Sequence, residues 1–280
     1  MGKRQLVDLL FTLLSFERAV GSIGHLTVLS DGSLDAKDVE FFQQWHEKSQ
    51  VFLNPEELCQ AYHYSLDKTL LRFSTSYYLA PKVLLANVVQ SRSNCLLLDS
   101  DMIFFQNPLT QNGELSKAIE SERSTCLEDE VESFDPDIWR CETSKNRSFS
   151  KKVNSGLVYV PHGAFDRIDW QDRIPEKSIE NPHIFAEQSV IAAGLEAVTY
   201  SFLPRSKFLV SLRGTGFPKG DYLPFCDIET SYRALVCRHF VTPVRYLMWL
   251  KAFPLLKNDL KLARSTTKAI ADSDYDISLR

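Results

Sequence analysis

The chain has 280 residues, 44% of them hydrophobic, so it is long enough for one α/β domain with a substantial core or for two small ones at most. Its 32 lysines and arginines oppose 36 aspartates and glutamates, which gives a formal net charge of −4 at pH 7. This balance excludes the broad basic field that attracts nucleic acid, and it favours a small-molecule or glycan partner. We expect a single domain over residues 1–280.

Hydrophobic periodicity in the first hundred residues predicts alternating helices and strands. Apolar residues from Leu6 to Leu14 recur at helical spacing, and this first helix is expected to end before Gly21. A strand over residues 25–30 follows, after which Asp35 is expected to cap a second helix. The next predicted elements are a helix over residues 77–89 and a continuous apolar strand over residues 95–98.

The second half of the chain continues this alternation after a polar interruption. The polar composition from Ser121 to Lys152 predicts a long, partly mobile excursion. The elements predicted beyond it are a strand over residues 153–160, a helix over 185–195, extended stretches over 198–203 and 207–212, a Gly/Pro-rich segment over 214–224, a strand over 235–241, then helical sequence and a frayed tail over 271–280. Together these elements predict an α/β fold with a mostly parallel central sheet flanked by helices.

The cysteines and the N-terminus bear on the cellular compartment. No two of the six cysteines have C-x-x-C spacing, so we expect reduced structural thiols rather than a zinc or redox site. The apolar stretch from Leu9 to Leu14 is too short to span a bilayer, and no small-residue cleavage site follows it. We therefore predict a cytoplasmic protein without a transmembrane segment, and we leave peripheral membrane contact and oligomeric state open.

An acidic triplet, Asp99-Ser100-Asp101, directly follows the apolar strand. Side chains alternate in an extended segment, so Asp99 and Asp101 point the same way with Cα atoms roughly 6.5 Å apart. Two converging carboxylates repel each other unless a cation lies beside them, and a hard divalent ion would also bridge a substrate diphosphate. The pair lies at the carboxyl end of a strand, where open α/β sheets bind ligands. The triplet alone fits a metal site and a simple strand cap equally well.

The sequence around the triplet resembles glycosyltransferases of the GT-A fold, especially the family 8-like group. In that group an apolar strand, a D-x-D triplet, an apolar pair and an Asn-Pro or Asp-Pro recur, as they do over residues 96–108. Later blocks of the family are matched in order by Asn154-Ser155-Gly156, Glu187-Gln188, His239-Phe240, Pro243, Arg245 and Trp249. The resemblance implies a GT-A-like, Rossmann-related fold and metal-dependent transfer of a sugar from a nucleotide-diphosphate donor, expected to be a UDP-sugar, to a glycan or other hydroxyl acceptor.

The resemblance also implies roles for individual residues. Mn²⁺ or Mg²⁺ would be bound by Asp99, Asp101 and His239. The nucleotide-sugar would be bound by Lys82, Asp99, Ser100, Asp101, Gly156 and Arg245, with the two basic residues on the diphosphate. The catalytic residues would be Asn154, Glu187 and Gln188. Asn154 would hydrogen-bond the donor sugar, and Glu187 would be the general base of an inverting transfer, whereas in a retaining transfer Glu187 or Gln188 would stabilise an oxocarbenium-like state.

One departure from the family pattern leaves two other functions in view. GT-A enzymes usually begin with a strand that enters the nucleotide site, whereas only Met1 to Gln5 precede the first helix here. We therefore expect a nucleotide pocket without that strand or built differently, and a non-catalytic GT-A-like binding module is an alternative. A haloacid dehalogenase-type, Mg²⁺-dependent phosphatase is another, with Asp99 as phosphoryl acceptor and Asp101 as general acid. Ile103 replaces the Thr or Val usual in those phosphatases, so the glycosyltransferase is favoured.

Overall fold

The computed structural model describes residues 2–65, 67–210, 235–241, 245, 247–250 and 255–256. After a short 3-10 turn at Lys3–Gln5, the helices within this part of the chain are α1 (Leu6–Val20), α2 (Ala36–Trp45), α3 (Pro55–Ala61), α4 (Lys68–Ser74), α5 (Pro81–Gln90), α6 (Glu114–Glu120), α7 (Pro136–Ser144), α8 (Glu176–Glu180) and α9 (Ala186–Val198). The strands are β1 (Leu26–Leu29), β2 (Ser49–Phe52), β3 (Cys95–Leu98), β4 (Met102–Phe104), β5 (Ser124–Glu128), β6 (Val153–Val160), β7 (Tyr200–Phe202), β8 (Phe208–Val210) and β9 (Cys237–His239).

The described strands form three sheets of mixed direction. In the largest, ordered β3-β6-β5-β7, β6 is antiparallel to both of its neighbours, whereas β5 and β7 are parallel. In the second, ordered β4-β9-β8, β4 and β9 are antiparallel, and β8 and β9 are parallel. A parallel pair, β1-β2, forms the third. The predicted α/β class is confirmed, but a mostly parallel sheet is wrong, because an unbroken apolar run indicates burial of a strand without indicating its direction.

The polar segment from Ser121 to Lys152 contains regular structure, so the prediction of a long mobile excursion is wrong. It supplies β5, which lies between β6 and β7, and then α7. Asp135 caps α7 by accepting hydrogen bonds from two backbone amides. Glu142, fully buried on α7, forms ion pairs with Arg147 at 2.8 Å and Arg173 at 2.6 Å. The charges that suggested a solvated loop are therefore helix caps and buried ion pairs.

The first helix, α1, packs on the edge of β4 through two buried hydroxyl groups. Thr12 Oγ1 donates to the carbonyl of Ser100 at 2.6 Å and accepts from the amide of Met102 at 3.0 Å. Ser15 Oγ accepts from the amide of Phe104 at 3.1 Å. These contacts satisfy amides on the sheet edge that would otherwise be buried without a partner. As a result, α1 holds the backbone in the middle of the acidic triplet and directly after it.

Strand β6 and helix α9 form the rigid centre of the molecule. All eight residues of β6 are buried, and α9 packs against it with a continuous run of buried residues from Ala186 to Leu195. Side chains such as Val158 and Val190 belong to one apolar cluster, and burying each contributes about 1.5–3 kcal/mol. Asn154 is the second residue of β6 and Glu187 the second residue of α9, so both lie on well-packed elements.

Several smaller predictions can be compared with the described residues. No helix among them is long and apolar enough to cross a membrane. The five described cysteines carry free thiols, and four of them are buried. The Gly/Pro-rich segment over 214–224, Pro243 and the tail over 271–280 lie outside the described residues.

Candidate functional site

The acidic triplet forms the link between β3 and β4, and so joins two sheets. The amide of Asp99 donates to the carbonyl of Gly156 on β6 at 2.8 Å. The carbonyl of Asp101 accepts from the amide of Phe240, just after β9, at 2.7 Å. With the Thr12 contact to Ser100, the backbone of each triplet residue is bonded to a different element. The two acidic side chains are therefore fixed relative to one another.

Asp99, Asp101 and His239 meet at this link. His239 Nε2 lies 3.0 Å from Asp101 Oδ1 and 3.4 Å from Asp99 Oδ2, and one ligand atom from each residue falls within 4.8 Å of the others. Asp101 and His239 are buried, whereas 29% of the Asp99 side chain is exposed. Two carboxylates and one imidazole form a donor set that suits Mn²⁺. The cluster is thus closed on its Asp101 side and open towards solvent at Asp99.

A chain of hydrogen bonds orients the His239 ring. Its Nδ1 lies 2.9 Å from Asn154 Oδ1, which is also the acceptor for the Gly156 amide at 3.0 Å. Asn154 Nδ2 donates to Asp129 Oδ2 at 3.3 Å, which completes the orientation of this amide. An amide oxygen can only accept, so Nδ1 carries a proton, and the hydrogen bond from Nε2 to the Asp101 carboxylate requires a proton on Nε2 as well.

Burial lowers the pKa of His239, but Asp101 and Asp99 outweigh it, so the pKa is raised and the charged imidazolium is favoured. Loss of the Nε2 proton would free a lone pair for a cation. A cation at that point would stabilise the arrangement, as in metal sites whose histidine is oriented by a hydrogen-bonded partner.

Gly156 is required by the packing of His239. A Cβ atom at this position would lie 2.4 Å from His239 Nδ1 and 2.9 Å from Asn154 Oδ1, far inside contact distance. The structure therefore provides a steric reason for the glycine that does not depend on a ligand. Its predicted contact with the donor sugar stays a prediction.

Asp101 is bonded on both of its oxygens. Oδ1 faces His239, and Oδ2 accepts from Arg245 Nε at 3.0 Å and from Nη2 at 2.6 Å. Burial raises the pKa of Asp101, but His239 and Arg245 outweigh this effect and lower it to about 2. Asp8, on α1, is a second carboxylate near the guanidinium, with Oδ2 3.9 Å from Arg245 Nε. Burial raises the pKa of Asp8 to about 6, against the lowering influence of Arg245.

Lys82 pairs with Asp99, as Arg245 pairs with Asp101. Its Nζ lies 2.5 Å from Asp99 Oδ1, 3.2 Å from Ser155 Oγ and 3.5 Å from Glu187 Oε1. Burial lowers the pKa of Lys82, but the charges of Asp99 and Glu187 outweigh it, so the pKa is raised and the amine stays charged. Each basic residue predicted to bind the diphosphate is therefore paired with one of the aspartates predicted to bind the metal.

Glu187 faces this cluster from the first turn of α9. Its Oε2 accepts from Ser155 Oγ at 3.1 Å, and its backbone amide donates to the hydroxyl of Tyr77. Burial raises the pKa of Glu187, and Asp99 adds to that rise while Lys82 opposes it. A buried carboxyl with a raised pKa, beside a charged cluster, is a candidate for proton transfer.

Gln188 has a different environment from its neighbour. Its Oε1 accepts from the amide of Ser155 at 3.3 Å, and its Nε2 donates to the carbonyl of Ser133 at 2.8 Å. Both ends of the amide thus bind other parts of the protein and help to hold the start of β6. The predicted role of Gln188 at the reacting sugar stays a prediction.

Sequence reasoning missed a buried polar stripe on α1. Asp8, Thr12 and Ser15 follow one another at spacings of four and three residues, which places them on one face of the helix. All three are buried on the side that contacts the triplet and Arg245. The signal was present, because three polar residues at helical spacing interrupt an otherwise apolar stripe. Asp129, which orients Asn154, was also missed, because it lies in the segment predicted to be a mobile excursion.

Comparisons with known proteins agree with this architecture. No protein-family model matches the chain, and no curated protein matches it. Among solved structures, the WbbM bifunctional glycosyltransferase in its apo form has a TM-score of 0.50 at 10% sequence identity, over 86% of this chain and 45% of that one. The apo form of mouse xyloside xylosyltransferase 1 has a TM-score of 0.50 at 11% identity, over 86% of this chain and 93% of that one. The chain thus spans about half of the first protein and nearly all of the second.

At such low identity the likeness concerns the fold alone. Both similar structures are glycosyltransferases, and the mixed sheets of this chain, flanked by helices, match theirs. We conclude that the chain has the α/β fold of the GT-A glycosyltransferases.

Proposed function

We propose that this protein is a metal-dependent glycosyltransferase that moves a sugar, expected to be a hexose, from a nucleotide-diphosphate donor to a hydroxyl group of a glycan or other acceptor. A UDP-sugar is the expected donor. The observation that carries the proposal is the convergence of Asp99, Asp101 and His239 at the end of a strand in a GT-A fold. The glycosyltransferase function of the two similar structures supports it.

The charges of the cluster fit a divalent cation. Ion pairs connect two basic side chains, Lys82 and Arg245, with four carboxylates, which belong to Asp8, Asp99, Asp101 and Glu187. Once His239 gives up its Nε2 proton to bind an ion, two negative charges remain uncompensated, and a divalent ion would balance them. Mn²⁺ suits the mixed oxygen and nitrogen donors, and Mg²⁺ is the alternative. Bound there, such an ion would act as a Lewis acid on the donor diphosphate.

Lys82 and Arg245 would stabilise the leaving nucleoside diphosphate. Each is now held by an aspartate; Arg245 would turn towards the diphosphate when Asp101 binds the ion, whereas Lys82 would act from its present position. Positive groups fixed in advance near a developing negative charge lower the barrier because they need little reorganisation during reaction. The planar guanidinium of Arg245 can bind two phosphate oxygens at once, whereas Lys82 acts as a point charge. Ser100 and Gly156 would border the donor.

Glu187 would act where the sugar is transferred. If transfer inverts the anomeric centre, its carboxylate is the expected general base for the acceptor hydroxyl; if transfer retains the configuration, Glu187 or Gln188 would stabilise the oxocarbenium-like state. Asn154 would contribute a hydrogen bond to the donor sugar in either case. These roles rest on the resemblance to the family and on the position of Glu187 beside Lys82 and Asp99.

Release of nucleoside diphosphate tests the proposal. A panel of nucleotide-sugars is first screened for Mn²⁺-dependent thermal stabilisation, and those that bind are then assayed for Mn²⁺-dependent turnover. We expect at least one donor, most readily a UDP-sugar, to be turned over by the wild-type protein and not by Asp101→Asn. Metal-dependent nucleotide binding without turnover would favour the binding module. Hydrolysis of generic phosphomonoesters would favour the phosphatase.

Three statements about the whole protein stay predictions of the sequence. They are a single domain over residues 1–280, a cytoplasmic location, and partners limited to the nucleotide-sugar and its acceptor, without nucleic acid.

A further inference from the structure

Each basic side chain of the site has a second carboxylate close by. Lys82 lies 2.5 Å from Asp99 and 3.5 Å from Glu187, and both of its neighbours belong to the proposed mechanism. Arg245 lies 2.6 Å from Asp101 and 3.9 Å from Asp8. Asp8 is therefore the second carboxylate beside Arg245, just as Glu187 is the second carboxylate beside Lys82. Glu187 has a place in the proposed mechanism, whereas Asp8 does not.

The environment of Asp8 makes a purely structural role costly. Only 4% of the residue is exposed, and its Oδ1 atom has no hydrogen-bond partner in the described part of the chain. It stands on the apolar helix α1 between Val7 and Leu9, where a hydrocarbon side chain would be buried without penalty. Trp249 gives the carboxylate one side-chain hydrogen bond, which leaves Oδ1 without one. An unsatisfied buried acceptor is destabilising, so a carboxylate here gains from a further contact with a positive charge.

Binding of a divalent cation at Asp101 would create that contact. The Asp101 Oδ2 atom now bonded to Arg245 would come under the field of the ion, and the ion would repel the guanidinium. Asp8 offers the arginine a carboxylate 3.9 Å from its Nε that stays available when the ion engages Asp101. Opposite charges at that distance near a protein surface attract each other, and holding the arginine there avoids the entropy cost of ordering it again.

We propose that Asp8 is a positioning residue that holds the Arg245 guanidinium when a divalent cation binds Asp101. The arginine then stays beside the site, ready for the leaving diphosphate. This inference rests on the proposed function, because it requires a cation at Asp101. It assigns to the buried carboxylate of α1 a role that neither the acidic triplet nor the family blocks indicate.

A double-mutant cycle on metal affinity tests the inference. Mn²⁺ binding is measured by titration calorimetry at pH 8, where Asp8 is ionised, for the wild type, Asp8→Asn, Arg245→Gln and the double variant. In Asp8→Asn the arginine loses the Asp8 carboxylate and competes more strongly for Asp101, so we expect Mn²⁺ affinity to fall about tenfold. In the Arg245→Gln background the same change should alter affinity less than about twofold. A merely structural role would not produce this dependence on Arg245.

Two results of the cycle would overturn the inference alone. One is wild-type Mn²⁺ affinity in Asp8→Asn. The other is an equal loss of Mn²⁺ affinity on Asp8→Asn in the wild-type and Arg245→Gln backgrounds. Asp8 would then act on the ion directly, as a ligand or through its negative charge. Asp38→Asn is the matched control, since Asp38 is a buried aspartate that pairs with Lys3 on another helix, and it should leave the affinity unchanged. Failure of the wild type to bind Mn²⁺, or unchanged binding by Asp101→Ala, would overturn the proposed function and this inference together.

A second measurement applies if Asp8→Asn does not fold. The arginine Nε–H signals of the wild-type protein are recorded by NMR as Mg²⁺ is added, and the Arg245 signal is identified with Arg245→Lys. We expect this signal to move to a new position while staying protected from exchange with water. Merging with the signals of exposed arginines would contradict the inference.

Discussion

The two aspartates of the site are paired with cations in opposite ways. At the Asp99 end the acid is accessible, with 29% of its side chain exposed, and its partner Lys82 is mostly buried at 13%. At the Asp101 end the acid is buried, with 5% of its side chain exposed, and its partner Arg245 is accessible at 28%. One end thus offers an open carboxylate beside a fixed positive charge, and the other a fixed carboxylate beside an accessible positive charge.

This difference suggests separate roles for the two basic residues. Lys82 is held by Asp99, Ser155 and Glu187, so its amine has little freedom and acts as a fixed charge. Arg245 has an exposed side and a second anion in Asp8, so it can change partner when an ion binds. We expect an ion to meet the open Asp99 first and then to displace Arg245 from Asp101.

The largest effect on folding is expected from removing the fixed charge. Lys82→Met leaves Asp99 and Glu187 without their common cation, and loss of one partner of a buried pair costs about 3 kcal/mol or more. Arg245→Gln should cost less, about 1–2 kcal/mol, because the Asp101 carboxylate keeps its hydrogen bond with His239. Urea unfolding of the metal-free proteins measures both. Equal losses would break the comparison between the two ends.

The buried aspartate should matter more for folding than the open one. Its environment lowers the pKa of Asp101 from 3.8 to about 2, which at neutral pH corresponds to about 2 kcal/mol of stability. Asp101→Asn should lose about that amount in urea unfolding with chelator present, and its Mn²⁺ affinity should fall about 100-fold or more. Asp99→Asn should lose affinity as well, but less than about 1 kcal/mol of stability, because its charge is partly solvated. Greater destabilisation by Asp99→Asn would contradict the account.

Gly156→Ala should disturb the Asp101 end through His239. The new Cβ would meet the imidazole at 2.4 Å, and forcing such a contact costs about 1–3 kcal/mol. Because the ring must shift, Mn²⁺ affinity should also fall about tenfold or more. Gly194→Ala is the control, since its Cβ would lie 2.8 Å from the Trp170 ring in α9 packing. It should lose stability without losing Mn²⁺ affinity; a parallel loss of affinity in both variants would show that the effect is general.

Thr12→Val removes the contact of α1 with the backbone between the Asp99 and Asp101 ends, and it should have the smallest effect. The change keeps the shape of the side chain but removes the hydroxyl that bonds Ser100 and Met102. We expect a loss of about 1–2 kcal/mol in urea unfolding, because two buried backbone groups lose their partner. Mn²⁺ affinity should fall by less than about fivefold, since the side chains of Asp99 and Asp101 keep their own contacts. A larger loss than in Gly156→Ala would mean that α1 determines the site more than His239 does.

The sequence predicted the structure best where both the residue types and their order along the chain match a known pattern. The apolar strand before Asp99 is found as β3 at its predicted bounds, and the strand predicted over residues 153–160 is β6. The family blocks placed Asp99, Asp101 and His239 in one group, although 138 residues separate Asp101 from His239. Such long-range convergence came from the resemblance, since no local pattern contains it.

The sequence was least informative where polar residues are buried. Glu142 and Asp135 lie in the polar segment that predicted a mobile excursion, but one is enclosed by two arginines and the other caps a helix. Asp8 and Thr12 were counted within an apolar helix, although they contact the site. Whether a charge is solvated or paired depends on residues far away in the chain, and strand direction depends on how sheets assemble. Neither is encoded in a window of neighbouring residues.

The position of a bound ion tests the central claim most directly. Crystals grown with Mn²⁺ and UDP are measured at a wavelength where manganese scatters anomalously. We expect one strong anomalous-difference peak between Asp99, Asp101 and His239, with Arg245 no longer bonded to Asp101 Oδ2. A map without a peak there, or with Mn²⁺ elsewhere and the Asp101–Arg245 pair intact, would contradict it.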